Sequence, residues 1–198
     1  MVTKFEQLNA MAEKNNGYLF TSEVVEAGIS KTYLSKYLKE NQFEKAAHGI
    51  YYSEDTWLDE LYVIQVSNPV VIFDRETALY LHNLTDREYS KIHVAVPKKY
   101  NTFRLKERGF VIHSYEEELY HMGIVKKESN FGNMLIIYDR ERCICNMVAE
   151  RGDVEVQTFQ TAMKEYMSST DKKLGVLLEY AEKLGLRDEI MKYVEVML

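Results

Sequence analysis

The sequence predicts an α+β protein: a small helical unit that ends in a β-hairpin, then a mixed α/β domain whose C-terminal part is helical. Three observations carry this. Before Pro69 the apolar residues recur mostly at helical spacing; between Pro69 and Asp139 four short β-favouring runs break that period; after Asp139 helical spacing returns and holds to the end. The expected domains are residues 1–67 and 68–198, with Pro69 in "QVSNPVVIF" marking the boundary.

Taken in order, Phe5, Leu8, Met11 and Ala12 share one face of a first helix, which stops at Asn15-Asn16-Gly17. A second helix begins behind Thr21 or Ser22, has Glu23 in its first turn, and stops at Gly28. A third starts at Ser30. "FEKAAHGIYY" then reads as two short strands around Ala47-His48-Gly49. In the larger domain Val70 to Phe73, Ile92 to Val96, Phe110 to Ser114 and Met134 to Tyr138 read as strands, and Arg75 to Asn83 as a helix between the first two. Four helices follow, built on Ile144, Met147 and Val148; on Val156, Phe159, Met163, Tyr166 and Met167; on Leu174, Leu177, Leu178, Ala181 and Leu184, closed by Gly185; and on Leu186, Ile190, Val194 and Met197.

With 198 residues, 46% of them hydrophobic, the chain can bury a real core. Its apolar runs are far shorter than the roughly 20 residues a membrane span needs, and Met1 to Gly17 is too polar for a signal peptide, so a cytoplasmic location is expected. Cys143 and Cys145 are too close to pair and are expected as free thiols near a core. A net charge of -6 argues against coating nucleic acid indiscriminately; any such binding must come from a local basic surface.

That surface is visible in "VVEAGISKTYLSKYLKEN". With Leu34 and Leu38 on the buried side of the third helix, a turn of about 100° per residue puts Thr32, Ser35, Lys36 and Lys39 on the opposite side. Helix, helix, turn, helix and two-stranded hairpin is the order of a winged helix-turn-helix, whose later helix enters the major groove of DNA. The candidate DNA-binding residues are Ser30, Lys31, Thr32, Tyr33, Ser35, Lys36 and Lys39, with Tyr37 flanking, and Lys45 and His48 on the hairpin. No Arg occurs in the first sixty residues, so bidentate guanine readout is missing and contacts should lean on phosphate and shape.

A second basic stretch, "KIHVAVPKKYNTFRLKERG", sets Lys91, Lys98, Lys99, Arg104, Lys106 and Arg108 against Glu107 alone, and is a candidate face for a polyanion, either flanking DNA or a partner. Other chemistry finds little support. The five histidines are scattered without ligand spacing, and no P-loop, dinucleotide fingerprint or nucleophile elbow occurs. Asp171 reads as a helix cap or first-turn residue and Glu116-Glu117-Glu118 as a solvated helix start. No catalytic residue, metal or cofactor is expected.

The blocks "YLFTSEVVEAGISKTYLSKYLKENQFEKAAHGIYY", "FDRETALYLHNLTD", "YDRERCICNMVAERGD" and "LLEYAEKLGLRDEIMKYVEVML" resemble, in that order, the AbiEi family of type IV antitoxins from bacterial abortive-infection systems. The resemblance implies an N-terminal winged helix that represses its own operon at promoter inverted repeats and a C-terminal antitoxin domain. It also implies a functional antagonist, a nucleotidyltransferase-like AbiEii toxin, with which no stable complex is required. His48 stands where relatives often carry Arg or Lys, and Asn146 where many have Asp. Two other classes compete: a winged-helix regulator with a ligand-sensing C-terminal domain, and an enzyme acting on nucleic acid.

Overall fold

The computed structural model describes residues 2–197; Met1 and Leu198, the outer ends of the two expected domains, lie outside the described residues. The chain is a mixed α+β protein with eleven helices and two sheets among the described residues. It divides into two compact units. One runs to Pro69 and includes residues 128–135; the other comprises 70–127 and the chain from Ile136 onward.

In the first unit, α1 (Lys4–Lys14) opens on a capping box: Glu6 N–H donates to Thr3 Oγ1 (3.2 Å) and Thr3 N–H to Glu6 Oε2 (2.7 Å). It stops where expected, at Asn16 and Gly17, both with positive φ. Glycine is required at 17, because a Cβ there would lie 1.8 Å from Thr56 Oγ1. β1 (Tyr18–Phe20) follows, a strand with too few residues to show an alternation in sequence. Next come α2 (Thr21–Glu26), α3 (Lys31–Glu40) and the hairpin β2 (Glu44–Ala47) and β3 (Ile50–Tyr52). Thr21 is the first residue of α2 rather than its cap. The antiparallel sheet has the order β1-β3-β2, with Tyr18 opposite Tyr52 and Phe20 opposite Ile50.

One core of this unit gathers Leu8, Ala12, Leu19, Val24, Ile29, Leu34, Tyr37 and Leu38. Full burial of a leucine such as Leu34 contributes about 2 kcal/mol. Of the two adjacent valines of α2, Val24 reaches this core and Val25 is exposed. A second cluster packs Val63 of α4 (Glu60–Ser67), whose cap is Asp59, against Tyr18 and Ile50. Asp59 is buried and serves three groups: Oδ1 accepts from Tyr62 N–H (3.0 Å), Oδ2 from Asn133 Nδ2 (3.0 Å) and from Ser129 Oγ (2.5 Å). Those contacts fasten residues 128–135 into the first unit.

The second unit holds the strands β4 (Ile72–Phe73), β5 (His93–Pro97), β6 (Val111–Tyr115), β7 (Ile124–Glu128) and β8 (Met134–Tyr138) in the order β6-β5-β4-β8-β7, the outer ends of β7 and β8 belonging to the first unit. β4 pairs antiparallel with β5 and parallel with β8, and β5 runs parallel to β6. β7 escapes the sequence reading because Lys126 and Lys127 mask its apolar residues. Its helices are α5 (Arg75–Leu81), α6 (Phe103–Glu107), α7 (Glu117–His121), α8 (Arg140–Ala149), α9 (Val156–Ser168), α10 (Leu174–Lys183) and α11 (Arg187–Met197). The helix starting behind Glu116 and the four C-terminal helices match expectation. α8 is buried from Glu141 to Val148 because α5, α9, α10 and α11 all pack on it. Cys143 and Cys145 lie inside it as free thiols, and burial pushes both up, Cys145 to about 12. Asp171 does not cap α10. Lys173, the N-cap, donates its N–H to Glu141 Oε1 (3.0 Å), while Asp171 accepts from Arg140 (2.5 Å).

Candidate nucleic-acid interface

The Ala27-Gly28 turn, with Gly28 at φ +78°, ends α2 and lets the chain reverse into Ser30. Ser30 Oγ accepts from Tyr33 N–H (3.2 Å), so this hydroxyl is the α3 N-cap. From that cap onward, Leu34, Tyr37 and Leu38 turn inward, and Lys31, Thr32, Ser35, Lys36 and Lys39 stay exposed. No acidic residue lies in the first turn of α3, so the partial positive charge of the helix N-terminus stands unopposed there.

A cleft of about 370 Å³ runs between α3 and the hairpin. Lys31, Ser35, Lys39, Thr21, Lys45 and Tyr51 line it, over Leu34, Leu38 and Phe43. Three ammonium groups and three hydroxyls thus border one groove, and no carboxylate is among its lining residues. Such a groove suits a polyanion: lysines act as point charges toward phosphate, and hydroxyls accept or donate.

The other expected residues are spread around this cleft. Thr32 and Lys36 are exposed, and Lys36 Nζ lies 3.7 Å from Glu40. Tyr33 is half-buried, and Lys4 Nζ sits 5.8 Å from its ring centre, which adds a cation that nothing in the sequence linked to α3. His48 is exposed at the hairpin turn, beside Gly49 at φ +74°. Tyr37 does not flank the surface. It is buried and donates its hydroxyl hydrogen to Asn9 Oδ1 (2.5 Å).

In the second unit, Lys91, Lys98, Lys99, Arg104, Lys106 and Arg108 are all exposed. Lys98 is engaged by Glu116, and Arg108 lies 5.0 Å from the Phe110 ring centre. Lys99, Arg104 and Lys106 follow along the loop after β5 and on α6.

A buried charge centre in the second unit escaped sequence reasoning. Asp74, fully buried, accepts from Arg75 N–H (2.7 Å), Asn146 Nδ2 (2.8 Å), Tyr115 Oη (2.9 Å) and the Arg75 guanidinium. Burial opposes its charge, but Arg75, His113 and the Asn146 amide together hold its carboxyl below the usual range. Arg75, held at φ +47°, also grips Glu150 through Nε (2.5 Å) and Nη2 (2.6 Å). Asn146 in turn accepts from Arg142 Nε (2.9 Å), and the Arg142 guanidinium carbon lies 4.8 Å and 4.9 Å from the ring centres of Tyr115 and Tyr138. These residues are scattered along the chain from 74 to 150, and no local spacing announces them.

Among the described residues no group of three or more His, Cys, Asp and Glu is placed to hold a metal ion, and no helix is long and apolar enough to cross a membrane. No protein-family model matches this chain, and no curated protein matches it.

Proposed function

We propose that this chain is a DNA-binding autorepressor and antitoxin of the type IV abortive-infection kind, acting in the cytoplasm. In this reading the first unit is a winged helix-turn-helix, with α3 in the major groove and the β2–β3 hairpin as its wing. The observation that carries it is the cleft between α3 and the hairpin, where Lys31, Lys39 and Lys45 converge with no opposing carboxylate in an otherwise acidic protein. Thr32, Tyr33 and His48 lie outside that cleft and would meet the adjoining backbone; Lys36, also outside it, faces Glu40 and would contribute less. Four ordered sequence blocks support the antitoxin part, in which the chain opposes a nucleotidyltransferase-like toxin without needing a stable complex. The exposed cations from Lys91 to Arg108 are the second surface this reading offers to an anion.

One experiment tests both parts. The full chain is expressed with its own promoter fused to a reporter, in cells that also make the neighbouring toxin-like protein. Reporter silencing together with restored growth is expected. An unaltered reporter would remove the DNA-binding reading, and a silenced reporter without rescue would remove the antitoxin.

A further inference from the structure

His93 on β5 and His113 on β6 belong to neighbouring parallel strands, where Ala95 stands opposite His113. The two rings are therefore diagonal neighbours on one sheet face, close enough for side chains to meet. His93 Nδ1 and His113 Nε2 are 3.2 Å apart, the ring centres are 5.5 Å apart, and the planes differ by 14°. The centre separation exceeds the nitrogen separation by the two ring radii, which is the most it can be. The rings consequently meet edge to edge, close to one plane, with each nitrogen aimed at the other. A bond of that geometry requires one N–H donor and one bare acceptor nitrogen.

The outer nitrogens are equally defined. His93 Nε2 lies 3.7 Å from Glu76 Oε2, and His113 Nδ1 lies 3.7 Å from Glu150 Oε1. The order is carboxylate, imidazole, imidazole, carboxylate, drawn from α5, β5, β6 and the end of α8. When the two rings carry two protons between them, one sits in the central bond and one carboxylate faces a bare nitrogen. With three, every nitrogen is matched: one central hydrogen bond and an N–H toward each carboxylate. A fourth would set two N–H groups against each other at 3.2 Å.

We propose that His93 and His113 form one proton-sensing pair, which takes up a single shared proton on acidification, with the Glu76 and Glu150 carboxylates facing its two outer nitrogens. The charged groups facing it are Glu76 and Arg75 from α5, Asp74 just before it, and Glu150 beyond α8. Three carboxylates against one guanidinium leave a negative surrounding that accepts one cation. Burial, with Arg75, holds both rings below the ordinary histidine value of about 6.5, so the pair is neutral at neutral pH and fills as pH falls. The unfolded chain takes up two protons where the folded pair takes one. Stability is thus present above the ordinary histidine range and is lost as pH falls through it.

The test follows the ring nitrogens of the full chain by 15N NMR from pH 8 to 5. His93 and His113 are expected to take up one proton between them. Replacing His113 by Gln is expected to move the His93 midpoint by about 1 unit or more, the signature of coupled sites. Two full protons on the pair in the wild-type chain, taken up independently of one another, would overturn the proposal. So would a His93 midpoint indifferent to H113Q.

Discussion

Asn146 sits between a guanidinium and a carboxylate and serves both, accepting from Arg142 Nε and donating to Asp74 Oδ1. The amide supplies an acceptor and a donor in that order without carrying a charge or needing a bound proton. Asn146→Asp would keep the Arg142 contact but set a second carboxylate 2.8 Å from Asp74 in a buried site. One of the two acids must then hold a proton, which raises its pKa above the unfolded value. Its stability is therefore fully present at low pH and lost as pH rises through the raised value. We expect N146D to unfold about 3 kcal/mol more easily at neutral pH and to recover part of that loss near pH 4, read by denaturant melts. Equal stability at both pH values would contradict the role given to the amide. This role could not be read from the sequence. Position 146 shows as a polar residue in an apolar helix, but its partner Asp74 lies in another element, and only the packing of α5 on α8 joins them.

At the scale of the element, legibility follows how local the determinants are. α3 was readable because its cap, its apolar spacing and its stop all lie within the segment. Ser30→Ala removes the hydroxyl that accepts from Tyr33 N–H and is expected to cost about 1 kcal/mol, or about 2–4 °C in melting temperature. An unchanged melting temperature would mean that the cap contributes nothing. Tyr37 was misread although the rule to place it was at hand: three residues beyond Leu34, it returns to the buried side, and its hydroxyl finds Asn9. β1 and β7 were missed for a different reason. Tyr18 to Phe20 is too short to show an alternation, and its strand character comes from pairing with β3 more than thirty residues on. The histidines looked scattered for the same reason, since His93 and His113 meet only through the β5–β6 register.

At the scale of the whole molecule, the proposed DNA binding sets a chain of net charge -6 against a polyanion, so attraction would have to come from one local surface against an unfavourable total. The groove between α3 and the hairpin is where the first unit concentrates cations and keeps carboxylates away. Lys39 lines that groove, whereas Lys36 lies outside it and faces Glu40. The most direct measurement is a titration of the full chain against its own promoter DNA over a range of salt concentrations, for the parent, Lys39→Ala and Lys36→Ala. Each lost phosphate contact should lower the slope of log affinity against log salt by about 0.9. The account predicts that K39A binds more weakly with a shallower slope and that K36A changes less. Parent-like affinity and slope for K39A would show that the groove does not hold DNA.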